Sequence, residues 1–405
     1  MSDAAPLPVA ARFRRRTGLA GWLVARKLAG VIAGRIVVQL PSGARHAAGG
    51  SAPGPEAALV VHRWRALRRL LIEGDLGFAE AYMDADWSTP DLPALLHFGA
   101  LNQDAIGVEA GWPLRLLRRV WHACRANTRT GSRRNIRAHY DIGNDFYAAW
   151  LDAGMTYSAA PFEDAAMSLE AAQAAKLDRI VTALRIDGSE HVLEIGCGWG
   201  SLAAALAARG CRVTGLTLSP AQRSYASARL ADAGLAAQAD LRLQDYRDVT
   251  GQFDRVVSVE MLEAVGEEFW PAYFRTLARC LAPHGVAVLQ FISIAEHRFA
   301  AYRAGVDFIQ RHIFPGGLLP TVGAVRAEAA RAGLAMETVA QFAAGYAATL
   351  AEWRRRFLAA WPTLRAQGFD DRFARKWEYY LAYCEAGFRS GLLDVGLYRL
   401  RHAGS

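Results

Sequence analysis

Apolar residues in the second half of the chain form short runs that end in glycine or acidic residues, and stretches rich in helix-forming residues separate these runs. The run Val192–Ile195 ends at Gly196, and Gly198 and Gly200 follow at every second position. Glycines allow positive φ and leave no Cβ between the backbone and a ligand. Residues 201–209 favour a helix because alanine and leucine dominate them. The pattern predicts a strand, a tight ligand-facing turn and a helix, which form the first unit of a doubly wound sheet.

Four further runs are typical of strands, at residues 212–218, 241–247, 253–260 and 286–290. Helical segments separate them, and strands that alternate with helices indicate a parallel sheet covered on both faces. We therefore expect an α/β, Rossmann-like fold for the larger part of the chain. Its Gly-x-Gly-x-Gly spacing differs from the Gly-x-Gly-x-x-Gly of dinucleotide-binding folds.

Polar residues at the ends of the first three strands are suited to a nucleotide-type cofactor. Glu194 precedes the glycines, where methyltransferase motifs place an acid, and the end of the second strand faces ribose and adenine in such folds. Ser219 has a second interpretation as a helix N-cap, because Pro220 follows it. Asp245 is suited to accept a hydrogen bond from an adenine amino group. The predicted cofactor-binding residues in this region are Glu194, Gly196, Gly198, Thr217, Ser219, Gln222, Asp245 and Tyr246.

Basic residues are concentrated in the N-terminal third. The whole chain carries 47 Lys and Arg against 39 Asp and Glu, whereas residues 1–138 carry 20 against 10. In residues 60–71 and 112–122, arginines alternate with leucine and tryptophan at helical spacing, which suits an anionic membrane surface. A solvated basic face over an ordinary core is the alternative. Phosphate attraction would also admit nucleic acid, but no nucleic-acid-binding motif accompanies the charge.

We expect three parts: a small basic α+β domain at residues 1–125 that faces lipid, a linker at 126–135 and a catalytic domain at 136–405. The five cysteines lie far apart, without the pairing of a metal site, and this usage suggests a reducing compartment. No apolar run reaches the roughly 18 residues that a membrane-spanning helix needs. We therefore predict a cytoplasmic protein, without a metal, that binds the inner face of the membrane peripherally.

Motifs beyond those of a general Rossmann-like sheet are spread over residues 60–400. They comprise residues 137–158, the glycine loop, Leu216–Ser219, Asp245–Asp248, Met261–Gly266, Phe308–Gly317, Gly368–Asp371 and Trp377–Phe388. Together they resemble cyclopropane-fatty-acyl-phospholipid synthases, and the C-terminal motifs resemble the plant and plant-like bacterial branch. The resemblance implies a class I S-adenosylmethionine-dependent methyltransferase with helical lid insertions. It implies the cis double bond of a phospholipid acyl chain as substrate, a cyclopropane as product, and Phe308 and Phe314 in an acyl channel.

The resemblance also implies roles around the reacting centre. Methyl transfer to an alkene leaves a carbocation, which a negative group and π faces stabilise, and a base must take a proton before a ring closes. By resemblance, Glu263 is the acid at this centre and Tyr346 lies beside it. Tyr157 and Ser158 are lid contacts to the cofactor, and His139 begins the lid and positions cofactor or acyl chain. The family holds a bicarbonate ion as base through a cysteine, the glutamate, a histidine, a backbone amide and the tyrosine.

Two positions depart from the family pattern. Ala159 stands where a cysteine is expected, and Gln290 stands where a histidine is expected, with Ile292 retained two residues later. Glutamine still donates a hydrogen bond but we expect no donor at all from the alanine, and losing one ligand weakens an anion site by roughly 1–3 kcal/mol. Bicarbonate binding is therefore in doubt. Without a base, a hydride shift would leave a methyl or methylene branch instead of a ring.

Two other functional classes fit parts of the sequence. A nucleic-acid methyltransferase fits the basic segment and the glycine loop, but residues Ser258–Glu263 lack the Asp/Asn-Pro-Pro-Tyr/Trp sequence usual for amino methylation. A non-catalytic lipid-binding relative fits the departures at Ala159 and Gln290, although Glu263 and Tyr346 are retained. Relatives of this kind often dimerise, so a homodimer is a further expectation.

Overall fold

Two sheets and a set of covering helices make up the described part of the chain. The computed structural model describes residues 19–108, 125, 127–129, 131–132, 135, 142–164 and 166–404. His139, the basic segment at 112–122 and part of the predicted linker lie outside the described residues. Within the described ranges, no helix combines the length and the apolar composition needed to cross a bilayer.

The N-terminal part contains a four-stranded sheet in the order β2-β1-β3-β4. Side chains alternate across a strand, and β1 accordingly buries Ile36 and Val38 and exposes Val37 between them. Helix α2 is kinked at Gly74, where φ is 65°. The elements are α1 (Leu19–Leu28), β1 (Ala33–Gln39), β2 (Arg45–Gly49), β3 (Ala52–Val61), α2 (Trp64–Met83), β4 (Trp87–Ser88), α3 (Leu92–Leu101) and α4 (Gln103–Ile106).

The larger part is a seven-stranded sheet in the order β10-β11-β9-β8-β5-β6-β7. The elements are α5 (Asn144–Ala148), α6 (Leu169–Leu184), β5 (His191–Ile195), α7 (Ser201–Ala207), β6 (Arg212–Thr217), α8 (Pro220–Asp232), β7 (Ala239–Leu243), β8 (Phe253–Val259), α9 (Trp270–Cys280), β9 (Leu281–Ile294), α10 (Glu296–Ala304), α11 (Phe308–His312), α12 (Val322–Arg331), β10 (Leu334–Gln341), α13 (Ala343–Ala366), α14 (Asp371–Arg389) and β11 (Leu393–His402). Single 3₁₀ turns lie at Ala236–Gln238, Tyr246–Asp248, Leu262–Ala264 and Glu267–Phe269.

The five predicted strands are confirmed as β5 to β9, which pair in parallel. Strands β10 and β11 were not predicted; β11 runs antiparallel to both β9 and β10. Helices cover both faces of the sheet, so β5 is an apolar run with Val192 and Leu193 fully buried. The Rossmann-like α/β fold expected from the sequence is confirmed.

The strand order places the ligand crevice. The chain continues from β5 to β6 and β7 on one side and returns to β8 and β9 on the other, so the order reverses between β5 and β8. Open parallel sheets bind ligands beyond the carboxyl ends of the strands at this reversal. Glu194 and Gly196 lie at the end of β5, Glu260 directly follows β8, and Gln290 lies in β9 opposite Val259.

Helices α13 and α14 join the two sheets into one buried core. Trp353 of α13 and Trp377 of α14 lie in the same apolar cluster as Trp87 and Phe98 of the N-terminal part. Polar contacts cross the same boundary, since the Tyr82 hydroxyl donates to Glu378 at 2.8 Å. The N-terminal layer is therefore packed directly on the helices that lie over the sheet.

Candidate active site

The backbone of the loop between β5 and α7 lies at the edge of the crevice. Gly196, Gly198 and Gly200 all have positive φ, at 89°, 51° and 84°. A Cβ at Gly200 would meet the Ala226 Cβ at 2.8 Å, so glycine is needed there for helix packing. A Cβ at Gly198 would meet no atom within 4 Å, because this residue borders open space in the cavity. The loop thus leaves room for a ligand at its centre.

The polar residues at the end of β6 are hydrogen-bonded to one another. The Thr217 hydroxyl donates to Gln222 Oε1 at 2.9 Å, and the Ser219 backbone N–H donates to Thr217 Oγ1 at 3.1 Å. Ser219 Oγ accepts from the Gln222 backbone N–H at the start of α8, with Pro220 in the first turn. The N-cap interpretation of Ser219 is confirmed. Thr217 and Gln222 line the cavity.

Asp245 lies behind the cavity wall. Its carboxylate accepts from Arg247 Nη2 at 2.7 Å and Arg247 Nε at 2.8 Å. Burial opposes ionisation of Asp245, but the Arg247 bonds outweigh it and the pKa of Asp245 lies below its usual range. Gln244 and Tyr246 on either side line the cavity. The contact from Asp245 to adenine stays a prediction, and Arg247 is a partner that the sequence did not indicate.

Glu194 faces the cavity as a buried carboxyl group with an unused oxygen. Its Oε2 atom has no hydrogen-bond partner among the described residues. Burial raises the pKa of Glu194 to about 8. A buried polar atom without a partner needs an explanation, and a polar group of a bound cofactor would supply that partner.

The lid residues Tyr157 and Ser158 also line this cavity. The hydroxyls of Tyr157 and Tyr380 lie 2.8 Å apart, and Ser158 Oγ accepts from Lys176 Nζ at 2.5 Å. Lys176 is buried, and burial lowers its pKa to about 8 against the opposing charges of Glu260 and Asp152. Lys176 was not predicted as a site residue, because its place in α6 carries no motif.

Three donors converge on the carboxylate of Glu260. Oε1 accepts from the Ala159 backbone N–H and from Gln290 Nε2, each at 2.8 Å, and Oε2 accepts from the Tyr346 hydroxyl at 2.8 Å. The Tyr346 hydroxyl is bonded to Glu260, a partner that the sequence did not indicate, and the expected role of Tyr346 beside Glu263 stays a prediction. The expectation that position 159 supplies no donor was incomplete, since its backbone N–H takes this role.

Glu263 lies in the same site with a different environment. Its Oε1 accepts from the Ile292 backbone N–H, and its buried Oε2 has no partner among the described residues. Burial and then the negative charge of Glu260 raise the pKa of Glu263 to about 8, although the Ile292 N–H opposes this. Burial also raises the pKa of Glu260 above its ordinary value, although its three donors and the charge of Lys176 oppose this rise. Of the two carboxyls, Glu260 therefore has the contacts that favour the ionised form, and Glu263 is the one that more readily holds a proton.

One cavity of about 940 Å³ joins these groups. It runs from the glycine loop past the two glutamates and reaches apolar residues of α1, α2 and α3 in the N-terminal layer. Phe308 and Phe314 line it, and their role in an acyl channel stays a prediction. The predicted site residues on its wall are Tyr157, Ser158, Glu194, Gly196, Gly198, Thr217, Gln222, Tyr246, Glu263, Ile292 and Tyr346. Gln290, Ser219 and Asp245 are buried and support the wall from behind.

Glu260 is the main residue that the sequence interpretation missed. A signal was available, because Glu260 ends the fourth predicted strand at the sheet edge where ligands bind. Its backbone is a further indication, since φ is 49° at a residue that is not glycine. Such left-handed residues cluster at functional sites.

Comparisons with known proteins cover most of the chain. The family model described as mycolic acid cyclopropane synthetase matches residues 127–397. The chain is 43% identical over 359 residues to the tuberculostearic acid methyltransferase UfaA1 of Mycobacterium tuberculosis, covering 85% of this chain and 83% of the relative. It is 37% identical over 370 residues to the cyclopropane-fatty-acyl-phospholipid synthase of Escherichia coli K12, covering 90% and 92%. The solved structure of the mycolic acid cyclopropane synthase CmaA1, complexed with SAH and CTAB, matches with a TM-score of 0.62 at 30% identity, covering 66% of this chain and 97% of that chain.

Proposed function

The chain belongs to the mycolic acid cyclopropane synthetase family, and from this premise we propose that it methylates the cis double bond of an unsaturated phospholipid acyl chain and closes a cyclopropane ring. The observation that supports the proposal most is the cavity that joins the glycine loop to the Glu260 and Glu263 carboxyls and then to apolar residues of the N-terminal layer. This cavity can therefore hold a polar cofactor at one end and an alkyl chain at the other, with the reacting centre between them.

The cofactor end of this cavity suits S-adenosylmethionine. Glu194 Oε2 has no hydrogen-bond partner among the described residues, so it can bond a polar group of the cofactor. Gly198 leaves space because it has no side chain. The adjoining wall is formed by Thr217, Gln222 and Tyr246. When bound, this cofactor supplies an electrophilic methyl group on a sulfonium ion. The residues of the chain bind it, orient it and keep water away.

The reacting centre stabilises positive charge on the acyl chain. An alkene is a weak nucleophile, so a charged transition state needs fixed negative or π groups around it. The Glu260 carboxylate and the ring of Tyr346 line the cavity at this point. Tyr346 is packed against Phe388, with ring centroids 4.6 Å apart, and this contact holds its orientation.

The far end of the cavity suits a lipid. Leu67, Leu70 and Leu71 of α2 line it, while Leu71 and Ile72 are also about half exposed. Trp64, Arg68, Leu71 and Ile72 share one face of α2 because they lie four, seven and eight positions apart. We define these four residues as the α2 face. Exposed apolar side chains beside an arginine suit an anionic bilayer surface, so this face is where an acyl chain would enter from the inner leaflet.

A methylene branch is the second candidate product, favoured by the similarity to UfaA1, whose name describes a methyltransferase. After methyl transfer, a hydride shift moves the positive charge to the methylated carbon, and loss of a proton from the new methyl then gives a methylene group. Ring closure removes a proton from the same methyl. Both products therefore need one base, and they differ in whether the hydride shift precedes proton loss.

The test is incubation with methyl-labelled S-adenosylmethionine and oleoyl phospholipid vesicles, with RNA and DNA in parallel reactions. We expect label in the acyl chains and a mass gain of one CH₂, and NMR then distinguishes a ring from a methylene branch. Unchanged lipids with labelled nucleic acid would refute the proposal. Cofactor binding in calorimetry without methylation of any substrate would instead favour the non-catalytic lipid-binding class. Sedimentation of the same preparation tests the expected homodimer.

A further inference from the structure

Gln290 and Tyr346, two of the residues expected at a bicarbonate site, are bonded together with the Ala159 N–H to a side chain of the protein. The Ala159 N–H and the Gln290 amide bond one oxygen of Glu260, and the Tyr346 hydroxyl bonds the other, all at 2.8 Å. A bicarbonate ion would have to displace this carboxylate from three hydrogen bonds and remain next to its charge. The site therefore does not fit bicarbonate, because a carboxylate of similar shape and charge already occupies its position.

We propose that Glu260 is the catalytic base of this enzyme and that the reaction needs no bicarbonate. The inference rests on the proposed function, since it concerns the proton that either lipid product must release. It also accounts for both departures from the family pattern. Ala159 provides its backbone N–H without a thiol that would compete for space, and Gln290 donates through its amide.

The backbone is built to hold Glu260 in this place. Its φ of 49° is strained for a residue with a Cβ. The Glu260 N–H donates to the Gln290 carbonyl at 2.7 Å, so strand β9 fixes the residue from both its backbone and its side chain. Glycine would adopt this conformation without strain. The presence of a glutamate at this strained position indicates that its carboxylate has a use there.

The neighbouring charges leave Glu260 able to accept a proton. Its three donors and the charge of buried Lys176 favour the carboxylate form, while burial keeps it basic. Glu263 has less support, because its Oε1 accepts from the Ile292 N–H while its Oε2 has no partner among the described residues. Two adjacent carboxyls shielded from water seldom both ionise, and Glu263 is the member that more readily holds the proton.

The step balances without another reactant. Once the acyl chain carries the new methyl and a positive charge, a C–H bond of that methyl breaks. Its electron pair forms the third C–C bond of the ring, or the C=C bond of the methylene branch after the hydride shift. The proton passes to the Glu260 carboxylate, which later releases it to solvent. The net products are the altered lipid, the demethylated cofactor and one proton.

The test compares the native protein with Glu260→Gln and Glu260→Gly in buffer depleted of carbon dioxide, with and without added bicarbonate. The native rate should not change with bicarbonate. Glu260→Gln keeps the shape but cannot accept the proton, so we expect a loss of about 10²–10⁴-fold that bicarbonate does not restore. Glu260→Gly relieves the φ strain and frees all three donors, so its loss should be partly restored by bicarbonate. Exposed Glu268→Gln is the matched control and should keep the native rate.

Binding gives a second measurement that does not depend on turnover. Titration of ¹³C-bicarbonate followed by NMR should show saturable binding to Glu260→Gly and none to the native protein. Cofactor calorimetry on each variant verifies that it is folded. A native rate that falls at least tenfold without bicarbonate, or a Glu260→Gln variant with the native rate, would overturn the inference while leaving the proposed function intact. Absence of lipid methylation by the native protein would instead refute the proposed function.

Discussion

Tyr346→Phe removes one hydroxyl and leaves the ring in place. That hydroxyl donates to Glu260 Oε2 at 2.8 Å, while the ring packs on Phe388. A hydrogen bond to a charged group contributes about 1.5–3 kcal/mol, and each 1.4 kcal/mol corresponds to about tenfold in rate. We therefore expect kcat to fall by about 10- to 150-fold. Loss of a donor to the ionised form also raises the pKa of Glu260, so the acid limb of the pH–rate profile should move to higher pH.

The assay is the initial rate of methyl incorporation into oleoyl phospholipid vesicles between pH 5 and 9. Tyr82→Phe is a close control, because the Tyr82 hydroxyl also donates to a glutamate at 2.8 Å and both tyrosines are 6% exposed. Tyr82 lies in the N-terminal layer and is not on the cavity wall. The control should lose similar stability and keep kcat. The reasoning is refuted if Tyr346→Phe keeps kcat within twofold, or if its acid limb does not move.

Three further predictions concern the proton on Glu263, the cofactor loop and the α2 face. The pKa of Glu263 rises from an ordinary 4.5 to about 8 on folding, so the unfolded chain loses this proton first and stability falls as pH rises between these values. Glu263→Gln should remove this pH dependence. Its free energy of unfolding, measured with urea, should exceed that of the native protein by on the order of a few kcal/mol at pH 8 but not at pH 4.5. An equal effect at both pH values would contradict the assigned protonation. Gly198→Ala should raise the cofactor Kd in calorimetry at least tenfold. Gly234 also has positive φ and no atom within 4 Å of an added Cβ, so Gly234→Ala should cause similar backbone strain without raising the cofactor Kd. Equal Kd values for the two variants would argue against cofactor binding at Gly198. Ile72→Glu should weaken sedimentation with anionic vesicles, while Val339→Glu on β10 should not, and identical sedimentation would exclude the α2 face as the lipid contact.

The pattern of the sequence was sufficient for the parts of the fold that depend on local order. The run Val192–Ile195 and the three glycines after it identified the first βα unit, because strand, turn and helix are formed by residues close in the chain. Strands β10 and β11 were missed. Their burial patterns are irregular, and they are stabilised mainly by pairing with each other and with β9, which is distant in the sequence.

The sequence identified many members of the candidate site, but it missed Glu260 and the hydrogen bonds that meet there. Residue types and family motifs identified Gln290 and Tyr346 as members, and Ala159 as a gap in the anion site. Their common partner is Glu260, which lies 30, 86 and 101 positions away from them. Pairings over such separations follow from strand order and helix packing, which no single segment specifies.

The sequence by itself determined the Rossmann-like fold, the family and the cofactor loop, because local periodicity and short motifs carry that information. Only the tertiary structure decided which donors meet each carboxyl, and that Glu260 accepts the hydrogen bonds of Ala159, Gln290 and Tyr346. Those properties depend on burial and on donors brought together from β9, α13 and the lid. At Glu260 three donors meet one carboxylate, whereas one oxygen of Glu263 has no partner in the described part of the chain, and the separate roles that we propose for the two residues follow from this difference.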